Sequence, residues 1–321
     1  MSVISTPGSV AGNAARERVE QQLTGRRADV AGAGFRLLLL VALGLAVAVL
    51  LVLLADVITG GWSVLSTRLG DFLSGKLASQ PGDAGILQGL VGTFWIGVFV
   101  VVIAFPMGVS AAIWLEEYAT KSRLTSFIDV SIRNLAGVPS VVYGILGLTI
   151  FVNALRPVTG PDAGGRTIMS AGLTLAILVL PIVIITSAEA LRAVPSGLRE
   201  AGFGVGATRW EVIRHHVLPY AAPGILTGTV LALARALGEA APLILVGATT
   251  GYLTKGDELL DLTALRERFA AMPTLINNWA NLPGDEWESN TAAAIVVLLA
   301  VVLAANTVAI LLRNRFESKR R

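Results

Sequence analysis

Arg235 and Glu239 stand four residues apart inside an apolar run, Leu233-Ala234-Arg235-Ala236-Leu237-Gly238-Glu239-Ala240-Ala241-Pro242. On a helix that spacing sets them about one turn, roughly 6 Å, apart on one face. A charge near the centre of a bilayer costs about 2.5–3.5 kcal/mol on insertion scales, so such a run keeps one only against a compensating gain. Two gains fit. The pair neutralises itself as a structural ion pair, or it lines a polar pathway. Arg suits an oxyanion because its planar fork donates two hydrogen bonds, and Glu accepts a proton from the protonated anion. Arg133 lies in a second apolar run, where snorkelling to the inner surface competes with lining the same pathway. Ser140 and Tyr143 follow Pro139 there and offer hydroxyls, with packing the competing role for Tyr143.

Other chemistry is poorly supported. His215 and His216 are adjacent, so on a helix they point about 100° apart, and no third ligand is near. The chain has no cysteine, which excludes disulfides and thiolate chemistry. Gly160-Pro161-Asp162-Ala163-Gly164-Gly165-Arg166-Thr167 is one residue from a phosphate-binding P-loop. Arg replaces the required Lys and no strand precedes it, so a flexible turn is expected. No nucleophile–base pair or metal cluster shares a depth in the chain, which argues against a membrane-embedded hydrolase. Nothing calls for a cofactor. No basic stripe with interleaved aromatics supports a nucleic-acid role.

The elements that position these residues are membrane spans. Hydrophobic residues make up 54% of the 321 positions and charged ones 15%, more apolar than a soluble domain. Six stretches reach the roughly 20 residues a span needs. They run from about Leu37 to Ala55 (continuing to Ile58), Leu90 to Trp114, Phe127 to Ala154, Ile168 to Ala188, Tyr220 to Gly247 and Ala292 to Leu312. The expected fold is an all-α, polytopic bundle of six transmembrane helices in contact with membrane lipid. With the N-terminus inside, sixteen of the 25 Lys and Arg fall on cytoplasmic segments and seven on outer loops, so both termini are expected in the cytoplasm. Arg26 and Arg27 precede a first span too long for a signal peptide, and no small-residue cleavage site follows it, so the span is expected to be retained. Residues 1–34 read as a mobile tail, with a short helix at Ala14–Leu23, residues 35–315 as the transmembrane bundle and residues 316–321 as a basic tail. Pro106, Pro139, Pro181 and Pro242 lie within spans and favour bends. Gly224-Ile225-Leu226-Thr227-Gly228 permits close helix approach. The outer loop 248–291 carries Trp279 and Trp287, read as interfacial anchors or as a docking patch.

The inner loop 189–219 is the most distinctive segment. Leu191, Val194 and Leu198 share a helical face, and Pro195 suits a first turn. Gly202, Gly204 and Gly206 interrupt, and Thr208 caps a second short helix holding Glu211. Two short helices joined by a glycine turn make a rigid knob suited to a partner's groove. The pattern Glu200-Ala201-Gly202, three residues, Gly206, then Leu218-Pro219 resembles the EAA loop of binding-protein-dependent ABC importer permeases. Gly202 replaces the second Ala of that motif and His216 replaces its Ile, and the spacing holds. Ala112-Ile113-Trp114-Leu115-Glu116-Glu117-Tyr118-Ala119, Leu135-Ala136-Gly137-Val138-Pro139-Ser140-Val141-Val142-Tyr143-Gly144 and Arg235–Glu239 are similar to the phosphate-importer permeases. Glu239-Ala240-Ala241-Pro242-Leu243 and Met272-Pro273-Thr274-Leu275-Ile276-Asn277-Asn278-Trp279 favour their PstA type.

The resemblance implies a type I importer (MetI-like) bundle in a bacterial cell membrane. It implies inorganic phosphate as cargo, a PstC-type second permease subunit, two copies of a cytoplasmic ATPase and an extracytoplasmic phosphate-binding protein. The chain itself would then hydrolyse nothing. A permease for sulfate or molybdate and a membrane sensor of phosphate status are the competing readings.

Overall fold

The computed structural model describes residues 30–120, 122–249 and 265–318. The expected helix at Ala14–Leu23 lies outside them. Among the described residues there are helices and turns and no strand. Among these residues five helices are long and apolar enough to cross a membrane, six if one sharply bent pair counts as a single span.

The chain divides into two units at Asp56 and Val57. α1, Val30–Thr67, starts in the first unit, where its described side chains are almost all exposed. It continues past Ile58, where the apolar run led the span to be ended, because Thr59, Gly60 and Gly61 do not break the hydrogen-bond ladder. In the second unit follow α2 (Leu69–Ser74), α3 (Leu87–Tyr118), α4 (Arg123–Ala136), α5 (Ser140–Ala154), α6 (Arg156–Thr159), α7 (Ile168–Arg192), α8 (Ser196–Gly204), α9 (Arg209–Gly238), α10 (Ala241–Val246), α11 (Met272–Trp279) and α12 (Asp285–Ser318).

α7 is the axis of this unit. Thr167 caps it by accepting from the Ser170 amide, and Leu175, Val179 and Val183 along its length are fully buried. α9 packs against it closely, because a Cβ at Gly224 would stand 2.8 Å from the Ala190 Cβ. This is the close approach that the Gly224–Gly228 spacing allows. Pro106 in α3 follows a π-wound turn at Val100–Ala104, which accommodates the carbonyl that proline leaves without a donor.

The third apolar stretch is sharply bent rather than straight. α4 and α5 meet at 99° around Gly137-Val138-Pro139, since proline excludes the helical conformation from the residue before it. No α4 side chain is fully buried. Leu124, Phe127, Ile128 and Leu135 share one face of it, and Arg123, Asp129 and Arg133 lie on the other, so this arm of the bent pair is amphipathic. Arg133 lies on its polar face, where it pairs with Asp129. Tyr143 Oη donates to the Leu135 carbonyl at 2.8 Å and fixes the elbow.

The outer segment 248–291 also departs from expectation. Trp279 and Trp287 are neither surface anchors nor a docking patch: they are 2% and 9% exposed and stack with ring centroids 5.4 Å apart. Phe72, Met272 and Leu275 complete that apolar cluster. The Gly160–Thr167 segment forms a turn closed by its own hydrogen bonds. Gly165 donates to the Gly160 carbonyl at 2.8 Å and Gly164 to that of Pro161 at 3.1 Å, so these amides bond within the turn.

Candidate functional site

The fifth span breaks at the ion pair. α9 ends at Gly238, and Glu239 is extended, with φ −80° and ψ 117°. α10 restarts at Ala241 with Pro242 in its first turn, where its missing N–H leaves no bond unmade. Arg235 and Glu239 were expected on one continuous helical face. Instead Arg235 occupies the last helical turn and Glu239 the residue beyond it. The pair still forms, with Arg235 Nε 3.3 Å from Glu239 Oε1. A cation there also faces the negative end of the helix dipole. The pair is not buried within this chain: the Arg235 side chain is 49% exposed. Among the described residues its two Nη groups make no hydrogen bond. A guanidinium held by Nε and open along its outer edge can bind an oxyanion.

The other expected pathway residues are placed unequally. Ser140 opens α5 and Tyr143 follows one turn later. α5 packs on α10, and a Cβ at Gly144 would fall 2.8 Å from Pro242 Cα, so the helix carrying both hydroxyls lies beside the segment that follows Glu239. The Tyr143 hydroxyl is committed to Leu135. Arg133 is on α4, its Nε 3.0 Å from Asp129 Oδ2.

The 189–219 loop has the expected turn and cap but not two short helices: the second is the start of α9, which runs unbroken from Arg209 to Gly238, and Leu191 and Leu198 lie on different helices, α7 and α8. α8 begins at Ser196 behind Pro195, and Gly206 turns the chain with φ +82°. Thr208 and Glu211 form a reciprocal capping box at the start of α9. Gly202 is buried with Val212 against it, since a Cβ there would lie 2.8 Å from Val212 Cγ2. Ala201 and Glu200 are exposed, as are Phe203, Val205 and Trp210, while Leu218-Pro219 continues the helix into the span. The result is a knob with apolar side chains outward and its own small core of Leu191, Val194, Val212 and Val217 inward.

Four residues of this region were not anticipated in their roles. Glu117 Oε1 accepts from Arg199 Nε at 3.1 Å and Nη2 at 2.7 Å, and Arg192 binds Glu116 at 2.9 and 2.6 Å. The partners are 82 and 76 positions apart. Glu116-Glu117 at the end of an apolar run was visible in the sequence, but their partners were not.

Residues 104–321 match the model of the family described as binding-protein-dependent transport system inner membrane component. The chain belongs to that family. This permease is 32% identical to the probable ABC transporter permease protein YqgI of Bacillus subtilis (strain 168), over 79% of its own length and 86% of that protein. It is 33% identical to the phosphate transport system permease protein PstA 1 of Mycobacterium tuberculosis (strain H37Rv), over 84% of its length and 83% of that protein. Its fold is similar to a chain in the crystal structure of a bacterial ABC transporter that imports the acidic polysaccharide alginate. There the TM-score is 0.57 at 19% identity, covering 87% of this permease and 98% of that chain. The type I importer bundle and the resemblance to PstA permeases are thus borne out. The family is a membrane component of ABC importers.

Proposed function

We infer that this permease is the PstA-type subunit of an ATP-driven importer of inorganic phosphate in a bacterial cell membrane, with both termini in the cytoplasm. The observation that carries the cargo is the Arg235 guanidinium, anchored through Nε to Glu239 at the break in the fifth span and open along its Nη edge. PstA relatives at about this level of identity support the same reading.

In this reading a PstC-type subunit faces the exposed side of Arg235 and the two chains share the pathway. Ser140 contributes a hydroxyl to it, Tyr143 holds the elbow beside it, and Arg133 gathers anions at its inner mouth. Two copies of a cytoplasmic ATPase receive the knob formed by Glu200, Ala201, Gly202 and Gly206, whose exposed Phe203, Val205 and Trp210 fit an apolar groove. An extracytoplasmic phosphate-binding protein delivers the anion. Membrane proteins tolerate irregular backbone where it borders a pathway, and the break in the fifth span at Glu239 supports this reading. ATP-driven closure moves the knob, the bundle rocks, and phosphate passes Arg235.

The test is uptake by the whole complex reconstituted in vesicles. Loss of a charge-assisted hydrogen bond of about 1.5–3 kcal/mol predicts that Arg235→Ala lowers phosphate uptake roughly tenfold to a hundredfold. Complex assembly should survive. Normal uptake by that variant removes Arg235 from the pathway. Wild-type vesicles that accumulate sulfate or molybdate in preference to phosphate overturn the cargo, and vesicles without flux when all partners are present favour a sensor.

A further inference from the structure

The geometry points to Glu116 and Glu117 as the residues that receive the motion of the 189–219 knob and pass it to the substrate pathway. This role rests on the transport reading above. It goes beyond that reading by naming where inside the chain the work is transferred.

Arg199 is the centre of the first connection. It sits on α8, within the knob, and grips Glu117 at the end of α3 with two nitrogens. The same guanidinium donates to the Leu191 carbonyl at 2.9 Å and the Val194 carbonyl at 2.8 Å. Those carbonyls belong to the end of α7 and the turn just beyond it. One planar cation therefore ties α8, α3 and α7 together. The Glu117 side chain is 9% exposed and that of Arg199 23%, so water screens this pair little.

Arg192 makes the second connection. At the end of α7 it holds Glu116 through two nitrogens, and its Nη2 lies 3.9 Å from Asp129 Oδ1 on α4. α4 leads through the elbow, fixed by Tyr143, into α5. α5 meets α10 at Gly144 and Pro242, three residues beyond Glu239. A continuous series of rigid helices and ion pairs thus joins the knob to the Arg235–Glu239 break. Surface ion pairs contribute little to stability, but a half-buried, doubly bonded pair resists sliding, which is what transmitting a displacement requires.

Contiguity alone does not establish coupling between sites, so the experiment measures coupling itself. The complete transporter is reconstituted in vesicles, and anion moved per ATP hydrolysed is recorded for wild type, Glu117→Gln and Glu117→Gln/Arg199→Gln. Glu117→Gln keeps the shape and one acceptor but removes the charge. The double variant relieves the unpaired Arg199 charge and so recovers stability lost for that reason.

We expect the complex to assemble and hydrolyse ATP in both variants. Anion moved per ATP should fall about fivefold or more in each, the low end of coupling between distant sites. A merely structural pair gives a different result: complexes that assemble keep the wild-type ratio while melting at a lower temperature, and this overturns the role. A wild-type ratio in Glu117→Gln also overturns it. Failure of wild type to move phosphate counts against the cargo, not against these residues, whose ratio is then read with whichever anion stimulates the ATPase.

Discussion

Tyr143 shows how one hydroxyl holds an elbow. The break at Pro139 frees carbonyls at the end of α4, and in an apolar setting each needs a donor. Tyr143 Oη supplies one to Leu135. Tyr143→Phe keeps the ring and removes the bond; the Leu135 carbonyl still accepts from the Val138 amide at 3.1 Å, so the loss is that of one hydrogen bond, about 0.5–1.5 kcal/mol. The variant complex should unfold at a lower temperature, and an unchanged transition would show that the elbow is held by packing instead. The sequence displayed the polar groups well and their partners poorly. Arg235 and Glu239 announced a pair by spacing alone, and they form one. That Glu239 lies beyond the helix end was hidden, because an isolated Gly238 in a helical pattern signals a break only weakly. The Arg199–Glu117 bond was invisible, since nothing in an 82-residue separation fixes which of several cations meets which carboxylate.

Local rules served best for the elements of the knob. Pro195, Gly206, Thr208 and Glu211 each act through neighbours a few positions away, and each sits where its chemistry demands. Gly206 has φ +82°, a region that costs other residues about 1–2 kcal/mol. Gly206→Val should strain the turn, tilt α8 against α9 and lower anion moved per ATP while span packing stays intact. Equal coupling in that variant would show that the turn tolerates a side chain. Gly144 tests a tighter junction. A Cβ there meets Pro242 Cα at 2.8 Å and Leu245 Cδ1 at 2.7 Å, so Gly144→Leu forces α5 from α10 at about 1–3 kcal/mol or more. Thermal unfolding and uptake should both suffer, and wild-type values for both would mean that the helices part freely. Length and apolarity did not reveal that α4 is the polar-faced arm of a bent pair. Leu124, Phe127, Ile128 and Leu135 against Arg123, Asp129 and Arg133 already spelled a half-polar helix.

At the scale of the molecule, composition sufficed for a membrane bundle, and six spans are reached when the bent pair counts as one. Overall apolarity could not reveal that Trp279 and Trp287 turn inward to fill a cluster with Phe72, because tryptophan serves buried and interfacial sites equally well. The elbow carries a last consequence, for the surrounding fat. What remains of the third crossing is eight α-helical residues, Ser140–Gly147, and seven π-wound ones, Leu148–Ala154. At 1.5 Å per residue that rod is only about 22 Å tall, against an oily layer of about 30 Å. Val141, Val142, Ile145 and Ile150 are exposed along it, so acyl tails beside them must shorten or tilt, leaving a dimple in the leaflets. Uptake in vesicles of graded tail length should peak with the shorter lipids, and a flat profile would mean that a neighbouring protein, not lipid, clothes this rod.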